Sequence, residues 1–339
     1  MKNVKSALPA TMVASMLFPS AAMADLTRID FTLDWSLQGV HAWYYLADER
    51  GYFEEEGLDV RIDQGEGSAA TISRIMSGAY DAGFGDMNAI IQNAANRPGE
   101  NPVMVYQIYN QPPFAVLTRA DGPIQSIDDL EGSTLGGPAG SASTQLFPAM
   151  AEAADIDIEN IEITSVSPDL QEQLLNQGSV DGSLVFNVTS YMNLVSQGND
   201  PDEDYIWYPY GDYGLEIYSN GVMVSPELIE ESPEAVEGLV RAINRAVMEV
   251  LADPQAGIDV IVGVEGFLDG EAERQRLEFA IDNLIDSEEA HQLGVGDLDV
   301  DRLARSFQTI VDLYDLERVP DTSAVFTDEF LPPLSDRSL

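Results

Sequence analysis

Short hydrophobic runs alternate with amphipathic stretches along most of the chain. The runs have the length of strands, and the stretches between them place apolar residues at helical spacing. This alternation is typical of an α/β fold. A first series predicts strands at 29–33, 58–62, 81–84, 103–108 and 114–118 and helices at 41–53, 69–77 and 88–95.

The same alternation restarts at residue 135 and then gives way to a helical tail. The second series predicts strands at 135, 161–165 and 182–186 and helices at 144–154, 170–177 and 189–195. A strand at 222–224 follows. The tail predicts helices at 233–252, 255–262, 271–285 and 301–314.

Two α/β series predict two lobes, each with a mixed sheet flanked by helices. We expect residues 25–112 and 222–339 to form lobe 1 and residues 113–221 to form lobe 2. The chain would then cross between the lobes twice, near 111–114 and near 218–222. Two consecutive prolines in the first crossing suit a stiff, extended connection.

The first 24 residues have the pattern of a cleavable export signal. Lys2 and Lys5 precede an apolar run at 7–18, and residues 22–24 fit a small-x-small cleavage site. No later stretch approaches the roughly 18 consecutive apolar residues of a membrane span. We therefore expect a soluble protein of the periplasm. The chain has no cysteine, which excludes a lipid anchor on a cysteine at the cleavage site.

The charge of the chain restricts its partners. Lys2 and Lys5 are the only lysines, so a chain without residues 1–24 has 14 Arg against 59 acidic residues and a net charge of −45. Such a protein repels nucleic acid and anionic membranes, and we expect neither as a partner. The acidic residues are spread over the whole chain, which suggests a surface suited to high salt.

The loops at the carboxyl ends of the predicted strands are the candidate ligand site, because ligands of open α/β sheets bind there. In the first loop, Trp35 can offer its flat face to an aromatic or cationic ligand, or it can pack into the lobe. His41 can donate to a ligand or begin the helix. In the second loop, Ser68 follows a Gly-rich turn that exposes backbone N–H groups.

Other candidates come from later loops. Asp86 and Asn88 lie at a predicted helix start, where Asp86 either caps the helix or accepts a hydrogen bond from a ligand. Ser141 lies in a Gly-rich loop that leads into a helix. Such a loop resembles a helix N-terminus that binds anions. Phe186 and Asn187 end a strand of the second series.

The tyrosine-rich segment 208–218 is the last candidate. It contains Tyr213 and Glu216. The segment can belong to the core, or it can close over a ligand whose two N–H groups Glu216 accepts.

At these positions the chain resembles a known family. FTLDW followed by a His, RGYFEEEGLDV, GEGS, SGAYDAGFGD and DLEGSTLGGPAGSAS are similar to substrate-binding proteins of ABC transporters in the nitrate, sulfonate and taurine group. The resemblance implies a type II periplasmic binding protein fold with a ligand between the lobes. It also implies a monomer without a cofactor, whose partners are a small solute and an ABC permease with its ATPase.

The ligand expected from this resemblance is a small nitrogen heterocycle. LDW followed by a His is most similar to binders of thiamine-pyrimidine precursors, which have an Asn shortly after the Trp where this chain has Ser36-Leu37-Gln38. Trp35 and a tyrosine would sandwich an aminopyrimidine, and Asp86 and Glu216 would accept its N–H groups.

Two alternatives to a heterocycle receptor remain. An alkanesulfonate, taurine or nitrate would need Arg or helix N-termini, so Arg74 or Arg119 in the cleft would favour an anion. A pyrimidine-forming enzyme that resembles this group holds pyridoxal phosphate on a Lys. Because no Lys follows Lys5, we expect a receptor and not an enzyme.

We predict that the chain lacking residues 1–24 melts at a higher temperature in molar salt than in dilute buffer. Counter-ions screen the repulsion among its carboxylates over about 3 Å at 1 M ionic strength. Calorimetry in a salt series measures the change, and an equally dense sucrose series is the control that stabilises without screening. Equal melting temperatures in dilute buffer and molar salt would contradict the hypothesis of a salt-adapted surface.

Overall fold

The computed structural model describes residues 26–339. The predicted export signal lies outside these residues. Two five-stranded mixed sheets, each flanked by helices, form two lobes. The predicted fold class is therefore confirmed. No helix within residues 26–339 has both the length and the apolar character that crossing a membrane requires.

The strands occur in two groups along the chain. They are β1 (Thr27–Thr32), β2 (Leu58–Asp63), β3 (Ala82–Asp86), β4 (Val103–Gln107), β5 (Phe114–Arg119), β6 (Thr134–Gly137), β7 (Glu162–Ser165), β8 (Gly182–Phe186), β9 (Tyr205–Pro209) and β10 (Asn220–Val224). The first sheet has the order β2-β1-β3-β10-β4, and the second has the order β7-β6-β8-β5-β9. In each sheet the strand that arrives from the other lobe, β10 or β5, runs antiparallel to its neighbours.

Helices cover the faces of both sheets. They are α1 (Ala42–Glu49), α2 (Tyr52–Glu55), α3 (Ser68–Met76), α4 (Met87–Asn96), α5 (Ala142–Ala153), α6 (Gln171–Asn176), α7 (Asn187–Ser196), α8 (Pro226–Glu231), α9 (Pro233–Ala252), α10 (Pro254–Val264), α11 (Gly270–Ala280), α12 (Glu288–Leu293) and α13 (Val300–Leu313). The starts of α3, α5 and α7 lie at the carboxyl ends of strands, where the two lobes face each other.

Several element boundaries differ from the sequence prediction. The helix expected at 41–53 is two helices, because Gly51 has a left-handed backbone (φ 71°) that ends α1 and precedes α2. The strand β9 and the short helices α8 and α12 were not predicted. The strand expected at 222–224 begins at Asn220, so two residues assigned to lobe 2 pair in the first sheet. The remaining lobe boundaries stay a prediction.

The two crossing segments are hydrogen-bonded to each other. The Tyr109 amide donates to the Asn220 carbonyl at 2.8 Å, and the Ser219 amide donates to the Tyr109 carbonyl at 3.2 Å. The buried Gln107 side chain adds donation from Nε2 to the carbonyls of Tyr109 (2.8 Å) and Ser219 (3.1 Å). The crossings are therefore paired as one short two-stranded segment, which we call the hinge.

Arg302, in α13, holds both crossings. Its Nη2 donates to the carbonyl of Asn110 in the first crossing at 2.8 Å and to that of Ile217 in the second at 3.1 Å. Its Nη1 pairs with Glu289 at 3.1 Å, and its guanidinium lies 4.1 Å from the centre of the Tyr218 ring. This buried cation ties the C-terminal helices to the hinge.

We predict that Arg302→Gln lowers the free energy of unfolding by about 3 kcal/mol, because it leaves the carboxylate of Glu289 without its cation in a mostly buried site. Urea unfolding in molar salt measures the loss. Arg305→Gln, an exposed change on the same helix, is the matched control and should cost less than about 0.5 kcal/mol. Equal losses in the two variants would show that the contacts of Arg302 with Glu289 and the crossings contribute no stability.

Candidate ligand-binding cleft

A cavity of about 70 Å³, counted as the space that the centre of a water molecule can reach, lies between the lobes. It is therefore large enough to admit more than one water molecule. Its lining comes from both lobes and from the first crossing: Asp34, Trp35, Gln38, Val40, His41, Gly67, Ser68, Tyr109, Pro138, Ser141, Ala142, Gln171, Phe186, Val188, Thr189 and Ser190.

The loop after β1 is held against the loop before α3. The Gly65 amide donates to the Trp35 carbonyl at 3.0 Å, and the Gly67 amide donates to the Asp34 carbonyl at 2.6 Å. A Cβ on Gly65 would lie 2.0 Å from the Leu33 carbonyl oxygen, so only glycine fits this approach. This contact directs Asp34 and Trp35 into the cleft.

Among residues 26–339, Asp34 supplies the one carboxylate of the cavity lining, and its two oxygens have separate donors. Oδ1 lies 3.0 Å from Nε2 of His41, and Oδ2 accepts from Nδ2 of Asn220 at 2.7 Å. Its side chain keeps 14% of its surface exposed. The carboxylate is thus fixed in orientation, with lone pairs left for a ligand.

His41 orients Asp34. The Gln38 amide donates to Nδ1 of His41 at 3.1 Å, so the ring proton lies on Nε2 and is donated to Asp34. Both ring nitrogens are therefore used within the protein. His41 borders the cavity as predicted, but it has no nitrogen left to donate to a ligand.

Helix starts supply the opposite polarity. The residues that precede α3, α5 and α7 are Gly67, Ser141 and Phe186, and all three line the cavity. None of them caps its helix through a side-chain hydrogen bond. The first-turn amides of α3 and α5 therefore favour acceptor atoms of a ligand.

Buried hydroxyl groups complete the lining. Tyr109, Ser68 and Ser190 are buried, and no hydrogen bond from their hydroxyls is found among residues 26–339. Burial raises the pKa of Tyr109 well above its ordinary value, and the nearby Asp34 raises it further. The Tyr109 hydroxyl therefore keeps its proton and is available as a donor.

Within the part of the chain that the structure describes, no Arg or Lys lines the cavity. Arg74 donates to the Gln64 carbonyl at 2.9 Å and to the Thr32 hydroxyl at 3.1 Å. Arg119 donates to the Asn176 carbonyl at 3.1 Å. Neither arginine enters the cleft, so the cavity is electronegative at Asp34 and has positive character only at helix starts.

Five of the residues predicted from the sequence come together in the cavity lining. They are Trp35, His41, Ser68, Ser141 and Phe186. Trp35 is half-buried, which leaves part of its ring for a ligand. Their contact with a ligand stays a prediction.

The other five lie elsewhere. Glu216 is exposed on the surface because Leu215 and Ile217, on either side of it, point into the core. Tyr213 packs 6.3 Å from the ring of Tyr208, outside the cavity. Asn187 is also absent from the cavity lining. Its Oδ1 accepts from the Val188 amide at 2.7 Å.

Asp86 and Asn88 lie buried beneath the cleft and brace the hinge. The Asn88 Nδ2 donates to Asp86 Oδ1 at 2.9 Å and to the Tyr218 carbonyl at 2.6 Å. Burial raises the pKa of Asp86 to about 7, although hydrogen bonds from Asn88 and Ser219 act in the opposite direction. Neither residue is part of the cavity lining.

Sequence reasoning missed several lining residues. They are Asp34, Gln38, Tyr109, Gln171, Thr189 and Ser190. Asp34 had a usable signal, since it is the first charged residue after a buried strand and lies at the ligand edge of the sheet. Tyr109 had none, because its place in the cleft depends on the path of the crossing.

The chain matches the family model described as NMT1/THI5 like over residues 38–257. It is 28% identical over 240 residues to the formylaminopyrimidine-binding protein of Halalkalibacterium halodurans, with 70% of each chain covered. It is 24% identical over 301 residues to the riboflavin-binding protein RibY of Chloroflexus aurantiacus, covering 85% of this chain and 82% of that protein.

A solved structure shows the same fold. The periplasmic aliphatic sulphonate binding protein SsuA from Escherichia coli aligns with a TM-score of 0.69, covering 88% of this chain and 96% of that chain. The two sequences are 16% identical, so the likeness concerns the fold alone.

We predict that Asp86 makes the protein less stable as the pH rises from about 4 to about 7. In this window the unfolded chain releases the Asp86 proton, whereas the folded chain retains it until its pKa of about 7. Asp86→Asn should remove this loss, which amounts to a few kcal/mol at neutral pH.

The measurement is the difference in unfolding free energy between wild type and Asp86→Asn across this pH range at constant molar salt. Asp59→Asn, at an exposed position, is the matched control. A difference for Asp86→Asn that changes with pH no more than the difference for Asp59→Asn would contradict the raised pKa of Asp86.

Proposed function

The chain belongs to the NMT1/THI5 like family, and on that premise we propose that it is a periplasmic solute-binding receptor of an ABC importer. Its ligand is a small nitrogen heterocycle such as a thiamine-related aminopyrimidine. The observation that carries the proposal is an inter-lobe cavity whose one ionisable carboxylate, Asp34, is held in orientation by two donors.

The polarity of the cavity fits an aminopyrimidine. An exocyclic amino group donates hydrogen bonds, and Asp34 is placed to accept them. Ring nitrogens accept hydrogen bonds, and the first turns of α3 and α5 together with the Tyr109 hydroxyl are placed to donate them. Trp35 offers a partly exposed aromatic face to the ring.

The similarity to two receptors supports a nitrogen heterocycle as the class of ligand. One relative binds a formylaminopyrimidine and the other binds riboflavin.

An alkanesulfonate, taurine or nitrate is the second candidate ligand. The free helix starts of α3 and α5 favour an anion. A simple anion would, however, meet the carboxylate of Asp34 without any Arg in the lining. Taurine is the best of this class, because its ammonium group could pair with Asp34 while its sulfonate faces the helix starts.

Catalysis is the third candidate, and the residues present argue against it. A pyridoxal phosphate Schiff base needs a lysine, and none follows Lys5. His41 has both ring nitrogens engaged, and His291 is exposed and pairs with Asp286 at 2.8 Å. We therefore propose a receptor and not an enzyme. We further propose that it acts as a monomer and delivers its solute to a permease and its ATPase.

We predict that 4-amino-5-hydroxymethyl-2-methylpyrimidine and related aminopyrimidines raise the melting temperature of the protein in molar salt by mass action. Alkanesulfonates and nitrate should leave it unchanged, because Asp34 repels them. A thermal-shift series with these ligands and taurine makes the comparison. A shift with sulfonates and none with heterocycles would contradict the heterocycle ligand and favour an anion.

The same ligand tests the role of Asp34. Asp34→Asn should weaken binding of the aminopyrimidine by about 10- to 100-fold, since a hydrogen bond to a charged acceptor contributes roughly 1.5–3 kcal/mol. Ser36→Ala, an exposed change in the same loop, should leave the affinity unchanged. Titration calorimetry distinguishes the two, and an unchanged affinity in Asp34→Asn would remove this residue from the site.

A further inference from the structure

An arginine of lobe 1 reaches across the cleft to the wall that lobe 2 contributes. Arg276, in α11, donates from Nη1 to the Val188 carbonyl at 3.1 Å and to the Thr189 carbonyl at 3.0 Å. Val188 and Thr189 begin α7 and line the cavity. Arg276 thus holds two carbonyls of the second-lobe wall from the opposite side, and Gln38 of lobe 1 also accepts from the Thr189 hydroxyl at 3.3 Å.

Arg276 is itself held in place from within lobe 1. Its Nε donates to Glu273 Oε2 at 3.0 Å, and the same oxygen accepts from the Gly39 amide at 2.6 Å. A Cβ on Gly39 would lie 2.2 Å from the Glu273 carbonyl oxygen, so glycine is what allows this approach. Gly39 lies between Gln38 and Val40, which both line the cavity.

These bonds form a continuous bridge over one side of the ligand site. The bridge runs from Gly39 through Glu273 and Arg276 to Val188 and Thr189. The side chains of Arg276 and Glu273 are 6% and 9% exposed, so water does not compete strongly for their hydrogen bonds.

A second contact between the same two helices reinforces the bridge. The rings of Tyr191 in α7 and Phe279 in α11 stack with centroids 4.9 Å apart and planes 27° apart. Both contacts join residues of different lobes, so both are lost when the lobes separate. Of these two contacts, the one made by Arg276 involves residues of the cavity wall.

We propose that Arg276 is a positioning residue that latches the lobes over the ligand. It acts through the carbonyls of Val188 and Thr189 and stabilises the closed state relative to the open one. Since a ligand bound in the cavity leaves only when the lobes part, Arg276 sets the lifetime of the bound complex. This role rests on the proposed function as a solute receptor.

The absence of cysteine from the chain allows a direct test without any ligand. Tyr191→Cys and Phe279→Cys place two thiols across the lobe contact, and the rate of cross-linking by a short bis-maleimide measures how often the lobes close. In this background Arg276→Gln should lower the cross-linking rate by about tenfold, which corresponds to about 1.4 kcal/mol.

Arg274→Gln is the matched control. Arg274 lies on the same helix and pairs with Glu271 at 2.7 Å and with Glu278, so its ion pairs among residues 26–339 are with its own helix. It should leave the cross-linking rate unchanged. Arg276→Lys keeps the charge but presents a single donor group, so it should give an intermediate cross-linking rate. If Arg276→Gln does not fold, the rate in Arg276→Lys tests the proposal instead.

Three outcomes would overturn the latch: an unchanged rate in Arg276→Gln, an unchanged rate in Arg276→Lys where Arg276→Gln does not fold, or an equal loss in Arg274→Gln. The assay contains no solute, so its result does not depend on which ligand the cavity takes. Failure of the thermal-shift series with a positive cross-linking result would reject the proposed ligand and retain the latch.

Discussion

The pairing of the two crossing segments is the constraint on which fold and site both depend. Asn220 shows this most directly. Its carbonyl accepts from the Tyr109 amide at 2.8 Å, which joins the crossings, and its side chain donates to Asp34 at 2.7 Å, which orients the cavity carboxylate. The first bond joins the two crossings, and the second orients the carboxylate that we propose binds the ligand. A rearranged hinge would therefore change the chemistry of the site as well as the angle between lobes.

The sequence predicted the parts of the fold that local pattern controls. The sheets and most helices follow from alternating apolar runs, and the loops that carry Trp35, Ser68 and Ser141 follow from the rule that ligands bind at the carboxyl ends of strands. Glu216 shows where the reasoning failed despite a usable signal. It alternates with Leu215 and Ile217, and in an extended segment neighbours of a buried residue point outward.

Other parts of the site could not be predicted, because their partners are distant along the chain. The role of His41 depends on its bond to Asp34, and the orientation of Asp34 depends on Asn220, which lies 186 positions later. Tyr109 lines the cavity only because the hinge turns it there. Local patterns contain no information on such pairings, which the packing of the two lobes decides.

The scarcity of basic residues gives each buried arginine a structural consequence. With no Lys after Lys5, 14 Arg face 59 acidic residues, so most carboxylates have no Arg or Lys to pair with. Arg302 and Arg276 are both buried and donate to backbone carbonyls of the opposing segments. Charge-assisted bonds of this kind are screened little by salt, whereas surface pairs lose most of their strength. In molar salt the bonds of Arg302 and Arg276 would thus keep more of their electrostatic contribution than surface ion pairs do.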